Sequence, residues 1–93
     1  MTELTNFDPA EYLDSPEAIA AYIEDALNDD DAHALPRALG VVARAKGMSA
    51  IASETGLARE SLYKALSESG DPRSSTLHKV LGSLGLRIAV TPI

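Results

Sequence analysis

The stretch from Met48 to Ser67, MSAIASETGLARESLYKALS, decides the fold. In its first half Met48, Ile51 and Ala52 recur at helical spacing up to Thr55. Gly56 follows, a residue that can take the left-handed conformation ending one helix and turning the chain. After Leu57 and Ala58 a second short pattern runs from Arg59 to Ser67, with Leu62, Ala65 and Leu66 on one face. Two short helices, a glycine turn and a small alanine where the helices must approach read as a helix-turn-helix over 48–67. Its second helix presents Arg59, Glu60, Ser61, Tyr63 and Lys64 to solvent or to a DNA major groove.

A chain of 93 residues makes one small domain, burying only a little over ~60% of its unfolded surface. Its four aromatics are Phe7, Tyr12, Tyr22 and Tyr63, so the core is aliphatic and thin, and a dimer or partner protein would help stabilise it. With no cysteine there is no disulfide, thiolate zinc site or cysteine nucleophile. No apolar run approaches the roughly 18 residues of a membrane span, and no basic segment precedes an apolar one, so the reading is cytoplasmic.

The net charge of −6 argues at first against nucleic acid. Residues 1–36, however, carry ten acids and no Lys or Arg (−10), whereas residues 37–93 carry four acids and all eight bases (+4). Such asymmetry points to two surfaces with different partners, and the helix-turn-helix lies in the basic part.

Outward from the motif, residues 1–14 lack periodicity and contain Pro9, which makes them an N-terminal arm to a domain over 15–93. Ser15, Pro16 and Glu17 start a helix that runs to Leu27 or Asn28, with Ile19, Tyr22, Ile23, Ala26 and Leu27 as its apolar stripe. Asp31 or Asp30 caps a second helix reaching Ala45 or Lys46, with Leu35, Leu39 and Val42 inward. Pro36 falls within its first turns, allowing a kink or a late start. Gly40, mid-helix, costs about 1 kcal/mol against alanine and hints at close packing. Beyond the motif, ESGDPR (68–73) is a loop, and Ser74 or Ser75 caps a last helix to about Leu84 that Gly85 stops. In the tail, Leu86, Ile88 and Val90 alternate with Arg87 and Ala89, predicting a short strand over 86–90. It either pairs with its twin in a second copy, making a two-fold dimer, or packs as an extended tail on the core.

From Leu39 to Val90 the sequence resembles the probable addiction-module antidote family, Cro/C1-type helix-turn-helix antitoxins related to the HigA group. ARAKGMSAIASETGL, RESLYKALSE, the G-D-P-R loop and STLHKVLGSLGL carry the likeness, and FDPAEYLDSPEAIAAYIEDAL extends it over nearly the whole chain. The resemblance implies an all-α, lambda-repressor-like domain of about five helices. It also implies an antitoxin that neutralises a small basic RelE/HigB-like ribonuclease toxin by direct binding and represses its own operon as a homodimer. The alternative is a stand-alone Cro/C1-type regulator without a toxin. The sequence departs from the family pattern in three places. Ser49 and Ala50 stand where a phosphate-holding glutamine is common, Ala58 replaces a capping hydroxyl, and Asp71 replaces an asparagine.

Candidate DNA contacts follow from geometry. Arg59 can fork onto a guanine, Glu60 can accept from a cytosine, and Ser61, Tyr63 and Lys64 can reach base edges or phosphate. Ser49, Arg73, Ser74, Ser75 and Thr76 lie at helix N-termini or in the adjoining loop, where N–H groups and hydroxyls suit phosphate. The bland reading makes these ordinary solvated residues, with Glu60 and Lys64 an i,i+4 ion pair worth about 0.2–0.5 kcal/mol. For toxin contact the acidic segment offers Phe7, Glu11, Tyr12, Tyr22, Glu24 and Asp25, anchors and charges suited to a basic surface. Leu86, Ile88 and Val90 are the dimerisation residues. His33 and His78 lack metal-ligand spacing, and no nucleophile elbow, phosphate loop or dinucleotide fingerprint occurs, so neither an enzyme nor a cofactor is expected.

Overall fold

The computed structural model describes residues 13–93 and is all-helical there. Its five helices are α1 (Pro16–Leu27), α2 (Ala34–Lys46), α3 (Met48–Thr55), α4 (Arg59–Ala65) and α5 (Ser74–Ser83). The expected Phe7, Glu11 and Tyr12 contacts, and most of the 1–14 arm, lie outside the described residues.

α1 begins as its sequence dictates. The extended Ser15 places its hydroxyl to accept from the Ala18 N–H at 3.1 Å, and Pro16 fills the first helical position. At the start of α2 the late start that Pro36 allows holds, and the expected Asp cap does not. Asp29 and Asp31 spend their carboxylates on turns, accepting from the N–H of Asp31 at 2.8 Å and of His33 at 2.9 Å. The helix therefore opens late, at Ala34, behind a His33 that makes no side-chain cap, and neither Asp30 nor Asp31 caps it. Pro36 sits in the first turn, where its missing N–H leaves no intrahelical bond unmade. At the other end of the chain Arg73, rather than Ser74 or Ser75, holds the N-cap position of α5.

Glycines terminate three helices. Gly47, Gly56 and Gly85 have φ of 108°, 76° and 80°, values strained for any residue with a Cβ. One residue from each helix, with Leu66 just after α4, meets in the centre: Ile23, Leu39, Ile51, Leu62 and Val80 are buried together, with Leu66 among them. Each is worth about 1.5–3 kcal/mol of burial, and no aromatic belongs to this buried set. α2 lies against α1 on one side and α3 on the other, while α3 also touches α4 and α5.

The tail forms no strand among the described residues, since a single copy of an edge gives it nothing to pair with. Leu86 packs on the core and its N–H donates to the Leu81 carbonyl at 2.8 Å, but beyond it Val90 is 92% exposed. No helix among the described residues is long and apolar enough to cross a membrane.

Candidate nucleic-acid interface

α3 and α4 are joined by Gly56, Leu57 and Ala58. The turn is held by a side chain that the spacing argument did not single out. The Thr55 hydroxyl donates to the Ile51 carbonyl at 2.7 Å and accepts from the Leu57 N–H at 3.2 Å. A threonine closing a helix just before a glycine is the signal that would have found it, because its short hydroxyl reaches back four residues. Ala58 stands at the N-cap of α4 in extended geometry (φ −68°, ψ 142°) and supplies no cap bond.

α4 ends earlier than the expected Ser67. Leu66 leaves helical geometry, the Ser67 hydroxyl donates to the Lys64 carbonyl at 2.9 Å, and Gly70 folds tightly under the carbonyls of Lys64 and Ala65. Leu62 and Leu66 anchor this short helix in the core. Its other face is open: Arg59, Glu60, Ser61, Tyr63 and Lys64 are all exposed. The Arg59 guanidinium lies 6.0 Å from the centre of the Tyr63 ring, within cation–π range. The Glu60–Lys64 ion pair of the bland alternative does not form among the described residues. Glu60 in the first turn and Lys64 in the last instead complement the helix dipole.

Beside this face lies a cleft of about 560 Å³, bounded by Ser61 and Lys64 of α4, the loop from Ser69 to Arg73, and Thr76 of α5. It gathers Ser61, Lys64, Arg73 and Thr76 from the expected contacts. Ser49, Arg59, Glu60, Tyr63, Ser74 and Ser75 lie outside it, exposed at the surface. Asp71 also lines the cleft, so two cations face one anion there. Neither Lys64 nor Arg73 has an acidic partner within ion-pair distance among the described residues, which leaves both charges available. Two other cations are engaged. Arg37 bridges Asp31 at 3.3 Å and Glu68 at 3.0 Å, tying the acidic segment to the loop behind α4. Lys46 lies 3.8 Å from Glu54 and donates to the Ser83 carbonyl.

On the acidic side Glu24 and Asp25 are exposed on α1. Tyr22 is half-buried and packs against the core, so much of its ring already has an intramolecular role. Of the residues expected to make a dimer, Leu86 is packed, whereas Ile88 is 44% exposed. The described residues contain no cluster of His, Cys, Asp and Glu able to hold a metal ion.

Residues 3–92 match the family model described as probable addiction module antidote protein. An uncharacterized protein of Haemophilus influenzae is 46% identical over 91 residues, covering 97% of this chain and 94% of that relative. No solved structure matches the chain.

Proposed function

The chain belongs to the probable addiction module antidote family, and from that premise we propose that it is the antitoxin of a type II toxin–antitoxin module, of HigA-like Cro/C1 helix-turn-helix type. It acts in the cytoplasm without enzymatic activity, binds a small basic RelE/HigB-like ribonuclease toxin, and represses its own operon as a homodimer on double-stranded DNA. The observation that carries the DNA reading is the open face of α4, five exposed side chains on a helix fixed to the core by Leu62 and Leu66. In this reading Arg59, Glu60 and Ser61, at the start of the helix, meet base edges, and Lys64, Arg73 and Thr76 hold phosphate around the cleft. Ser49, Tyr63, Ser74 and Ser75 add contacts at the rim.

The toxin reading rests on family membership and on charge. The described part of the acidic segment keeps Glu24 and Asp25 free at the surface, where they steer a cationic partner.

Two experiments test the two arms. Gel shift against the chain's own upstream DNA is expected to show binding that weakens with salt, at a log–log slope near −5 for about six phosphate contacts per dimer. Absence of binding at low salt overturns the DNA arm. Co-expression with the product of the neighbouring gene is expected to restore growth and to yield a co-purifying complex. A neighbour that is not toxic would favour the stand-alone regulator instead.

A further inference from the structure

Arg37 lies on α2, outside the cleft beside α4, yet it reaches the loop that bounds that cleft. Its two terminal nitrogens go to different acids, one donating to Asp31 at 3.3 Å and the other to Glu68 at 3.0 Å. Glu68 immediately precedes the Ser69–Arg73 stretch that lines the cleft. One turn along the same face of α2, Gly40 lies under the Leu66 carbonyl, so α2 backs the end of α4 and the start of the loop together.

We infer that Arg37 and Glu68 are positioning residues for DNA binding: their bond holds the start of the loop on α2 and so keeps Arg73 beside the Lys64 side of the cleft before DNA arrives. The inference rests on the DNA reading above, and in it neither residue touches DNA.

Three observations carry it. First, the guanidinium is fixed before it meets Glu68. Asp31 accepts Arg37 through one carboxylate oxygen and the His33 N–H, at 2.9 Å, through the other, while its own N–H donates to Asp29 at 2.8 Å. A fork already held on one side loses little further freedom on closing the other. Second, the loop has few other ties. From Ser67 to Pro72 the other hydrogen bonds run within the loop or back to α4, as in the Gly70 N–H to the Ser67 carbonyl at 2.9 Å and the Ser67 hydroxyl to the Lys64 carbonyl. Among the described residues, Glu68 alone in this stretch makes a side-chain bond to a different helix. Third, the pair sorts the charges. Glu68 is matched by Arg37, whereas Lys64 and Arg73 have no acidic partner within ion-pair distance among the described residues. A Glu68 without Arg37 would compete with phosphate for those two cations.

The decisive variant is Glu68→Ala, because two effects on it have opposite signs. As a plain surface anion Glu68 repels DNA, and its removal tightens binding. As the anchor of the loop its removal weakens binding by about two- to fivefold, the ceiling being what an exposed ion pair can contribute. Fluorescence anisotropy of the full chain on its own upstream DNA, at about 0.1 M salt, is expected to show the weakening. Arg37→Ala should weaken binding too, and the double variant no more than Arg37→Ala alone. Glu68→Gln keeps an oxygen for Arg37 while shedding the charge, so it should bind at least as tightly as the wild type. Without DNA, the backbone amide order parameters of Gly70, Asp71 and Arg73 should fall in Glu68→Ala and in Arg37→Ala. Helicity should be retained, because both side chains are solvent-exposed. Tighter binding by Glu68→Ala overturns the inference, as do loop order parameters that stay at wild-type values. A wild type that binds no DNA at low salt brings down the DNA reading and this inference with it. Intact wild-type binding that Glu68→Ala leaves unchanged brings down the inference alone.

Discussion

Gly40 of α2 lies directly against the carbonyl oxygen of Leu66 at the end of α4, at a distance no Cβ can share. The middle of α2 is thus in backbone contact with the residue that ends α4, far from it in sequence. Leu66 itself is buried.

Gly40→Ala should therefore destabilise the fold although alanine is the better helix former by about 1 kcal/mol. The clash is with backbone, which cannot rotate away, and overpacking of this kind costs about 1–3 kcal/mol. Gly82→Ala is the control. It lies in α5, where an added Cβ meets nothing within 4 Å, so it should gain about 0.5–1 kcal/mol. Opposite signs in thermal unfolding check the pair.

Ala58 leaves α4 without a side-chain cap although its backbone already has the extended geometry a cap requires. Ala58→Ser should stabilise by about 0.5–2 kcal/mol. At this chain length that is a rise of several degrees in Tm, about 4–8 °C for each kcal/mol. An unchanged Tm would mean that the serine hydroxyl turns to solvent instead.

The Thr55 hydroxyl bonds both sides of the turn, so removing it orphans the half-buried Leu57 N–H. Thr55→Val should cost about 1–3 kcal/mol, and Thr55→Ser much less, because serine keeps the oxygen. Hydrogen exchange at the Leu57 amide reads the effect locally, apart from global unfolding.

How much of this was legible in the sequence depends on how local each determinant is. The Ser15–Pro16 start, the Gly56 turn and the inward leucines of α4 are written within a few residues, and those elements fall where expected. The cap of α2 is not legible locally because Asp29, Asp30 and Asp31 offer several local bonds, and competition among neighbouring N–H groups chooses turns over a cap. The cleft beside α4 was legible only in part. Lys64 and Arg73 stand out as cations, but the fold of Ser69 to Pro72 beneath α4 rests on the close approach of Gly70 to Ala65. Arg37 illustrates the limit. Its bond to Glu68 spans 31 residues, and no pattern within a helix announces it.

Asp31, the partner of Arg37, gives the protein an acid limb of stability. The His33 N–H holds the Asp31 carboxyl below its ordinary value of 3.8, and Arg37 adds to the effect. A depressed carboxylate contributes stability that is full above 3.8 and is lost as pH falls through the lower folded value. Asp31→Asn keeps an acceptor for the His33 N–H but loses the charge. Its Tm should lie below that of the wild type at pH 6, with the gap closing as the pH drops below 3.8. A gap that persists in acid would show that the carboxylate charge is not its source.

The functional prediction turns on the three cations and one anion around α4. Lys64 and Arg73 face the cleft as point charges without acidic partners among the described residues, so replacing either with Ala should weaken binding about equally on all DNA sequences and reduce the salt slope by about 1. Arg59 sits at the start of α4 with its guanidinium 6.0 Å from the centre of the Tyr63 ring, and in the proposed reading it meets base edges. Arg59→Ala should cost about 1–3 kcal/mol on the operator and relax discrimination at one base pair, leaving nonspecific binding less affected. Asp71 lines the same cleft as Lys64 and Arg73, which hold phosphate in the proposed reading, so Asp71→Asn should tighten binding to operator and nonspecific DNA alike. Fluorescence anisotropy on operator and scrambled duplexes at two salt concentrations separates these patterns. If Lys64→Ala changes specificity while Arg59→Ala changes only the salt slope, the roles of base contact and phosphate contact on α4 are reversed, and the helix enters the groove by its C-terminal end.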